Sequence, residues 1–121
     1  MNNVDLYEKD GKVAVLITGG FGAAWSANSV SPLAYDKRII KFWLDHKDNK
    51  EFMRSASDYK DNFVNSYVKQ FFKDWGYDYV YLGAFDSLEL VWVEKGKPFQ
   101  IREYDGSEWI EYYDPDKWIT F

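Results

Sequence analysis

This sequence predicts an α+β fold, a mainly antiparallel β-sheet with two α-helices packed on one face, and three observations carry that expectation. Between residues 61 and 75, Phe63, Tyr67, Phe71 and Trp75 recur every four positions beside Val64, Val68 and Phe72, the period of an amphipathic helix with a broad apolar face. After Gly76 the rhythm becomes two: Tyr77, Tyr79 and Tyr81 alternate with Asp78, Val80 and Leu82, and then Leu88, Leu90 and Trp92 with Glu89, Val91 and Val93. Near the start, Val13-Ala14-Val15-Leu16-Ile17 is continuously apolar, as expected of a strand covered on both faces. The 121 residues read as one domain, residues 1–121, without repeat, linker or low-complexity tract and long enough for a single core.

In chain order, Val4–Glu8 and Lys12–Thr18 form a hairpin about Lys9-Asp10-Gly11. A helix starts either at Ser31-Pro32, with Ser as cap and Pro in the first turn, or later at Asp36. It buries Ile39, Ile40, Trp43 and Leu44 and leaves Lys37, Arg38, Lys41 and Asp45 outside. His46–Lys50 is polar and reads as a loop. The second helix closes at Gly76, placed where a terminating glycine belongs. Lys95-Gly96-Lys97 makes a tight turn, Phe99, Ile101 and Glu103 resume the alternation, and Asp105-Gly106 turns into Trp109-Ile110-Glu111-Tyr112. Asp114-Pro115 ends the strand region, with Trp118 and Phe121 pinning the C-terminus.

Composition excludes several chemistries. There is no cysteine, hence no disulfide, thiolate nucleophile or cysteine metal site. Met1-Asn2-Asn3-Val4-Asp5 shows no leader, and no apolar run approaches a membrane span, so a cytoplasmic protein is expected. The net charge of −5 is uneven: residues 37–73 carry nine Lys/Arg against five Asp/Glu, and residues 74–121 four against eleven. This argues against direct nucleic-acid binding and leaves room for an anion near the basic helices or a basic protein at the acidic end. Aromatic residues make up 21% of the chain, which supports an aromatic recognition surface and an aromatic-rich core equally, and makes self-association into a homo-oligomer a further expectation.

The most informative segment is Thr18-Gly19-Gly20-Phe21-Gly22-Ala23-Ala24-Trp25-Ser26. Small residues around two aromatics suit a backbone-lined pocket, with amide donors, two ring faces and the Ser26 and Ser29 hydroxyls. The segment lacks the Gly-Lys-Ser/Thr ending of a phosphate-binding loop and the spacing of a dinucleotide fingerprint. It also lacks the closing glycine of a nucleophile elbow, since Ala27 follows Ser26. His46 is the only histidine, and a place at a helix end outweighs a catalytic one. Glu103, Asp105 and Glu108 lack the spacing of a calcium loop, and a solvated acidic rim is the stronger reading. No catalytic residue, metal or cofactor is expected.

Three stretches together resemble a family of small, largely uncharacterised proteins of tailed phages and prophages. Leu16–Ser26 is similar to their "GFGAGWS" loop and Leu33–Ile40 to the segment that follows it. Leu90–Phe99 with Ile101–Glu108 is similar to their "WVEKGKPF…I.EYDGSE" signature. The resemblance covers nearly the whole chain. It departs at Ala24, where the family has Gly, and at Ala27-Asn28-Ser29, where the family continues Thr-Trp-Asn. It implies a phage accessory protein acting in the host cytoplasm.

The functional expectation is a non-catalytic host-defence antagonist that sequesters a small nucleotide-like ligand. Its ligand-binding residues would be Gly19, Gly20, Phe21, Gly22, Trp25, Ser26, Arg38, Glu103, Tyr104, Asp105 and Ser107, with the glycine loop and the Glu103–Glu108 turn meeting in one pocket. Trp25 and Phe21 would stack on the ligand, and Arg38 or Lys41 would offset negative charge. The alternative is an anti-CRISPR-like inhibitor that presents Glu108, Trp109, Glu111 and Tyr113 to a basic nucleic-acid-binding host protein.

Overall fold

The chain's first regular feature is a tight hairpin between β1 (Glu8–Lys9) and β2 (Lys12–Thr18). Its central residues, Asp10 and Gly11, have φ of 53° and 77°, the two left-handed positions of the turn that best matches the twist of paired strands. The computed structural model describes residues 4–18, 25, 32–58, 60, 62–78, 80–105 and 107–112. Gly19 to Ala24, Ser26 to Ser31 and Tyr113 to Phe121 therefore lie outside the described residues, including the expected pinning of the C-terminus.

β2 organises the molecule. It pairs antiparallel along its whole length with β3 (Leu88–Glu94), from Lys12 opposite Glu94 to Thr18 opposite Leu88. On its other edge, beyond the short β1, the Ala14 N–H donates to the Tyr7 carbonyl at 2.9 Å and the Leu16 N–H to the Ala34 carbonyl at 2.8 Å. From Val13 to Thr18 the strand is buried on both faces, as its unbroken apolar run predicts.

The helix start resolves to the later of the two signals. Pro32–Tyr35 is a turn, Asp36 is the cap, and α1 spans Lys37–His46 with Ile39, Ile40, Phe42 and Trp43 buried. The expected second helix is present as Phe63–Asp74, capped by Asn62 and ended by Gly76 at φ 99°. Between them lies a helix the sequence reading omits, Lys50–Ser57, capped by Asn49 and burying Met53 and Ala56. In chain order these are α1, α2 (Lys50–Ser57) and α3 (Phe63–Asp74). The His46–Lys50 loop shrinks to the turn Lys47–Asn49, because Asn49 accepts from the Phe52 N–H and starts a new helix at once.

A second difference follows Gly76. The alternation of Tyr77 to Leu82 does not become a strand; a 3₁₀ helix, Leu82–Ser87, buries Leu82, Ala84 and Phe85. A third lies at Lys95-Gly96, where the turn joins two sheets instead of closing a hairpin. Among the described residues β3 pairs with β2, whereas β4 (Phe99–Tyr104) pairs with β5 (Ser107–Tyr112) as a separate ribbon. The α+β class stands, with three α-helices and two antiparallel sheets among the described residues. α1 and β5 both contact β2, and Phe99, Ile101, Ile110 and Tyr112 of the ribbon pack on the core. No helix among the described residues is long and apolar enough to cross a membrane.

Candidate functional site

Segment 19–31 is tied at both flanks and once within. The Thr18 N–H, on the last residue before Gly19, donates to Glu108 Oε1 at 2.9 Å across 90 positions of sequence. The chain returns through the Pro32–Tyr35 turn, where Ala34 bonds Leu16. Trp25 lies in the core, 4% exposed, with its ring 6.4 Å from that of Phe72 and 6.2 Å from that of Phe85. Those contacts correct the expected role of its ring: a buried indole packed on two phenylalanines presents no open face for stacking. The indole Nε1 has no hydrogen-bond partner among the described residues, unlike Trp43, whose Nε1 donates to the Phe85 carbonyl at 3.3 Å.

The Thr18–Glu108 bond brings the β4–β5 ribbon against the residue that opens the glycine loop. Glu108 is 3% exposed, so it belongs to this buried junction and not to an outward acidic surface. The β4–β5 register sets Glu103 directly opposite Glu108, which places the two Cβ atoms about 5 Å apart. Asp105 turns the hairpin with φ 52°, and Ser107 pairs with Tyr104, which is 78% exposed. On the outer face Trp109 is exposed opposite Arg102, and Glu111 reaches the Arg102 guanidinium at 3.8 Å. Gly19, Gly20, Phe21, Gly22, Ser26 and Tyr113 lie outside the described residues.

Arg38 sits in a network the sequence reading did not foresee. Its Nη2 and Nε donate to the two carboxylate oxygens of Asp36 at 2.7 and 3.1 Å, and Nη2 also reaches the Trp75 carbonyl at 3.2 Å. The guanidinium lies over the Trp75 ring, 5.7 Å from its centre. Asp36 also accepts from the Arg38 N–H at 3.0 Å, as the α1 cap, and from the Tyr77 hydroxyl at 2.7 Å. Burial by itself would raise the Asp36 pKa, but the hydrogen bonds from Arg38 and Tyr77 and the guanidinium charge outweigh it and hold the carboxyl below its ordinary value. Burial, then the Asp36 hydrogen bond and charge, push the Tyr77 hydroxyl up. The Asp36 hydrogen bond likewise raises Arg38. The available signal was Asp36 two residues before Arg38, a cap that also supplies an ion pair.

Arg38 is nonetheless half exposed, and with Val4, Asp5, Asp36, Lys37 and Lys41 it lines a groove of about 400 Å³ at the amino end of α1. His46 is structural: its Nδ1 lies 2.8 Å from the Phe42 carbonyl, and its ring stands 4.4 Å from each of Phe42 and Phe52. Among the described residues no group of three or more His, Asp or Glu side chains is placed to hold a metal ion. No family model, curated protein or solved structure matches this chain.

Proposed function

We propose that the protein is a non-catalytic binding protein for a small nucleotide-like ligand. The observation that carries this reading is the groove at the start of α1, where Lys37, Arg38 and Lys41 stand together just after segment 19–31 returns to the sheet. Three cations against the carboxylates of Asp5 and Asp36 leave it net positive, and the helix amino end adds to the attraction for an anion. The buried Glu108 carboxylate at Thr18 disfavours phosphate there, so the ligand's charged end is assigned to the α1 groove. In the wider reading suggested by the sequence resemblance, this is a phage accessory protein in the host cytoplasm that removes a nucleotide signal from host defence.

The test is native mass spectrometry of protein taken from cells, with thermal shifts measured against nucleoside monophosphates and cyclic dinucleotides. A retained nucleotide, or a melting temperature that rises with one of them, supports the proposal. A bare chain that no nucleotide stabilises overturns it.

A second reading is favoured by one observation, the exposure of Tyr104 and Trp109 on the outer face of β4–β5. Aromatic side chains of this kind anchor protein interfaces, and a host protein would then meet Tyr104, Trp109 and Glu111 while Glu108 stays buried. A co-purifying protein released by Trp109→Ala supports this reading in place of the first.

A further inference from the structure

β3 is the last strand of its sheet, and β2 fixes which of its backbone groups face outward. The Ala14 and Leu16 N–H groups donate away from β3, to the Tyr7 and Ala34 carbonyls. Val13, Val15 and Ile17 therefore exchange the inner bonds with Val93, Val91 and Glu89. Leu88, Leu90, Trp92 and Glu94 are left pointing to the outer edge, and the Glu94 N–H shows it by donating to the Tyr112 hydroxyl at 3.1 Å. The outward groups of Leu90 and Trp92 have no partner among the described residues. This edge also lacks the devices that usually stop a strand from pairing further. Its seven residues contain no proline and no lysine, and their pairing with β2 runs without a bulge. Trp92 is 39% exposed, Glu89 is exposed, and Leu90 and Val91 are half-buried, so the edge is open to solvent.

We propose that the outer edge of β3 takes an extended basic peptide as an added strand, held by the backbone groups of Leu90 and Trp92. Strand addition draws its affinity from main-chain bonds and its selectivity from alternate side chains. Charge sets the sign of the peptide. Glu89 is exposed and makes no ion pair among the described residues. On an antiparallel added strand it faces a non-hydrogen-bonded position, where opposite side chains come closest, so a lysine or arginine belongs there. The part of the chain that carries β3, residues 74–121, has eleven Asp/Glu against four Lys/Arg and favours the same sign. A second copy of this chain suits the edge less well, because it brings the same acids and the same net charge of −5. No residue of β3 lines the α1 groove, so this surface is independent of the nucleotide-binding reading.

The probe is a fluorescein-labelled peptide, Lys-Thr-Tyr-Val-Val-Lys-Thr with blocked ends, titrated by fluorescence anisotropy and by amide NMR of the 15N-labelled protein. Binding is expected to move the Leu90 and Trp92 amides downfield and to slow their hydrogen exchange. Two versions of the peptide, N-methylated on one or the other alternate set of residues, test the ladder itself. The set whose amides face β3 should weaken binding about tenfold, and the intervening set should leave it within about twofold. Glu89→Lys, a surface change, should weaken binding about fivefold. Leu90→Pro removes an outward N–H and leaves the inner bonds to β2, so the folded variant should lose the peptide. If that variant does not fold, the two methylated peptides decide the question on the wild-type protein. Equal effects of the two methylations, or binding that leaves the Leu90 and Trp92 amides in place, overturns the proposal. So does a wild-type dimer in sedimentation that Leu90→Pro converts to monomer, since a second copy then holds the edge. Absence of peptide binding at millimolar concentration also overturns it and leaves the nucleotide reading untouched.

Discussion

The Thr18 amide and the Glu108 carboxylate, 90 residues apart in sequence, meet at 2.9 Å and join the buried end of β2 to the β4–β5 ribbon. A two-stranded ribbon is marginal in isolation, and this bond together with the packing of Ile101, Ile110 and Tyr112 fixes it on the core. Glu108→Ala removes the buried acceptor of the Thr18 N–H and is expected to cost about 1–3 kcal/mol. Glu108→Gln keeps an acceptor and should cost less. Chemical denaturation measures both, and amide exchange at Thr18 should quicken in the alanine variant ahead of the rest of β2.

Asp36 holds the start of α1 to the segment after α3 through Arg38 and Tyr77. Asp36→Ala removes the helix cap and strands the Tyr77 hydroxyl, for an expected loss of about 2–4 kcal/mol. Tyr77→Phe should lose about 1 kcal/mol. The pH dependence has a definite sign. A carboxyl held below its ordinary value, about 3.9, contributes its full stability above that pH and loses it as pH falls further toward the folded-state value. The stability gap between wild type and Asp36→Asn should therefore be constant near neutrality and narrow below pH ~4, as urea midpoints across pH would show.

α3 separates structural aromatics from exposed ones. Phe72 is fully buried against Trp25, Trp75 and Phe85, and Phe72→Ala is expected to cost about 3–5 kcal/mol. Phe63, 85% exposed on the same helix, meets only Tyr67 among the rings of the described residues. Phe63→Ser should change stability by no more than ~0.5 kcal/mol. Thermal melts of the two variants decide the ranking.

What the sequence made legible was local. The periodicity of α3, the Asp10-Gly11 turn, the all-apolar β2 and the Gly76 stop each depend on residues close in the chain, and each is found where the pattern puts it. What it hid was set by tertiary contacts. The alternation of Tyr77 to Leu82 looks like a strand, but the Tyr77 hydroxyl is drawn to Asp36 and Leu82 goes into the core, and the described residues of this stretch join no ladder. Continuous alternation across Lys95-Gly96 conceals a change of sheet, because pairing partners are not encoded in the period of either strand. Glu108 reads as one more surface acid in an acidic run until its partner, 90 positions away, is known. Trp25 and Arg38 were singled out as ligand contacts by residue type, yet the ring of one and most donors of the other are engaged within the fold.

Lys37 and Lys41 separate the two functional readings by charge. Both line the α1 groove, while the ribbon's outer face with Trp109 and Glu111 is built from other elements. Reversing either lysine to Glu should lower nucleotide affinity about fivefold, roughly 1 kcal/mol for a solvent-screened charge, and the double variant by more. The wild-type affinity should also weaken as salt rises and the Debye length shortens. Neither lysine is buried, so melting temperatures should scarcely move, which separates lost binding from lost folding. Glu111→Lys, on the ribbon, should leave nucleotide affinity unchanged. Titration calorimetry of the lysine and Glu111 variants against one nucleotide at two salt concentrations gives the answer: equal affinities throughout would remove the α1 groove from the binding site.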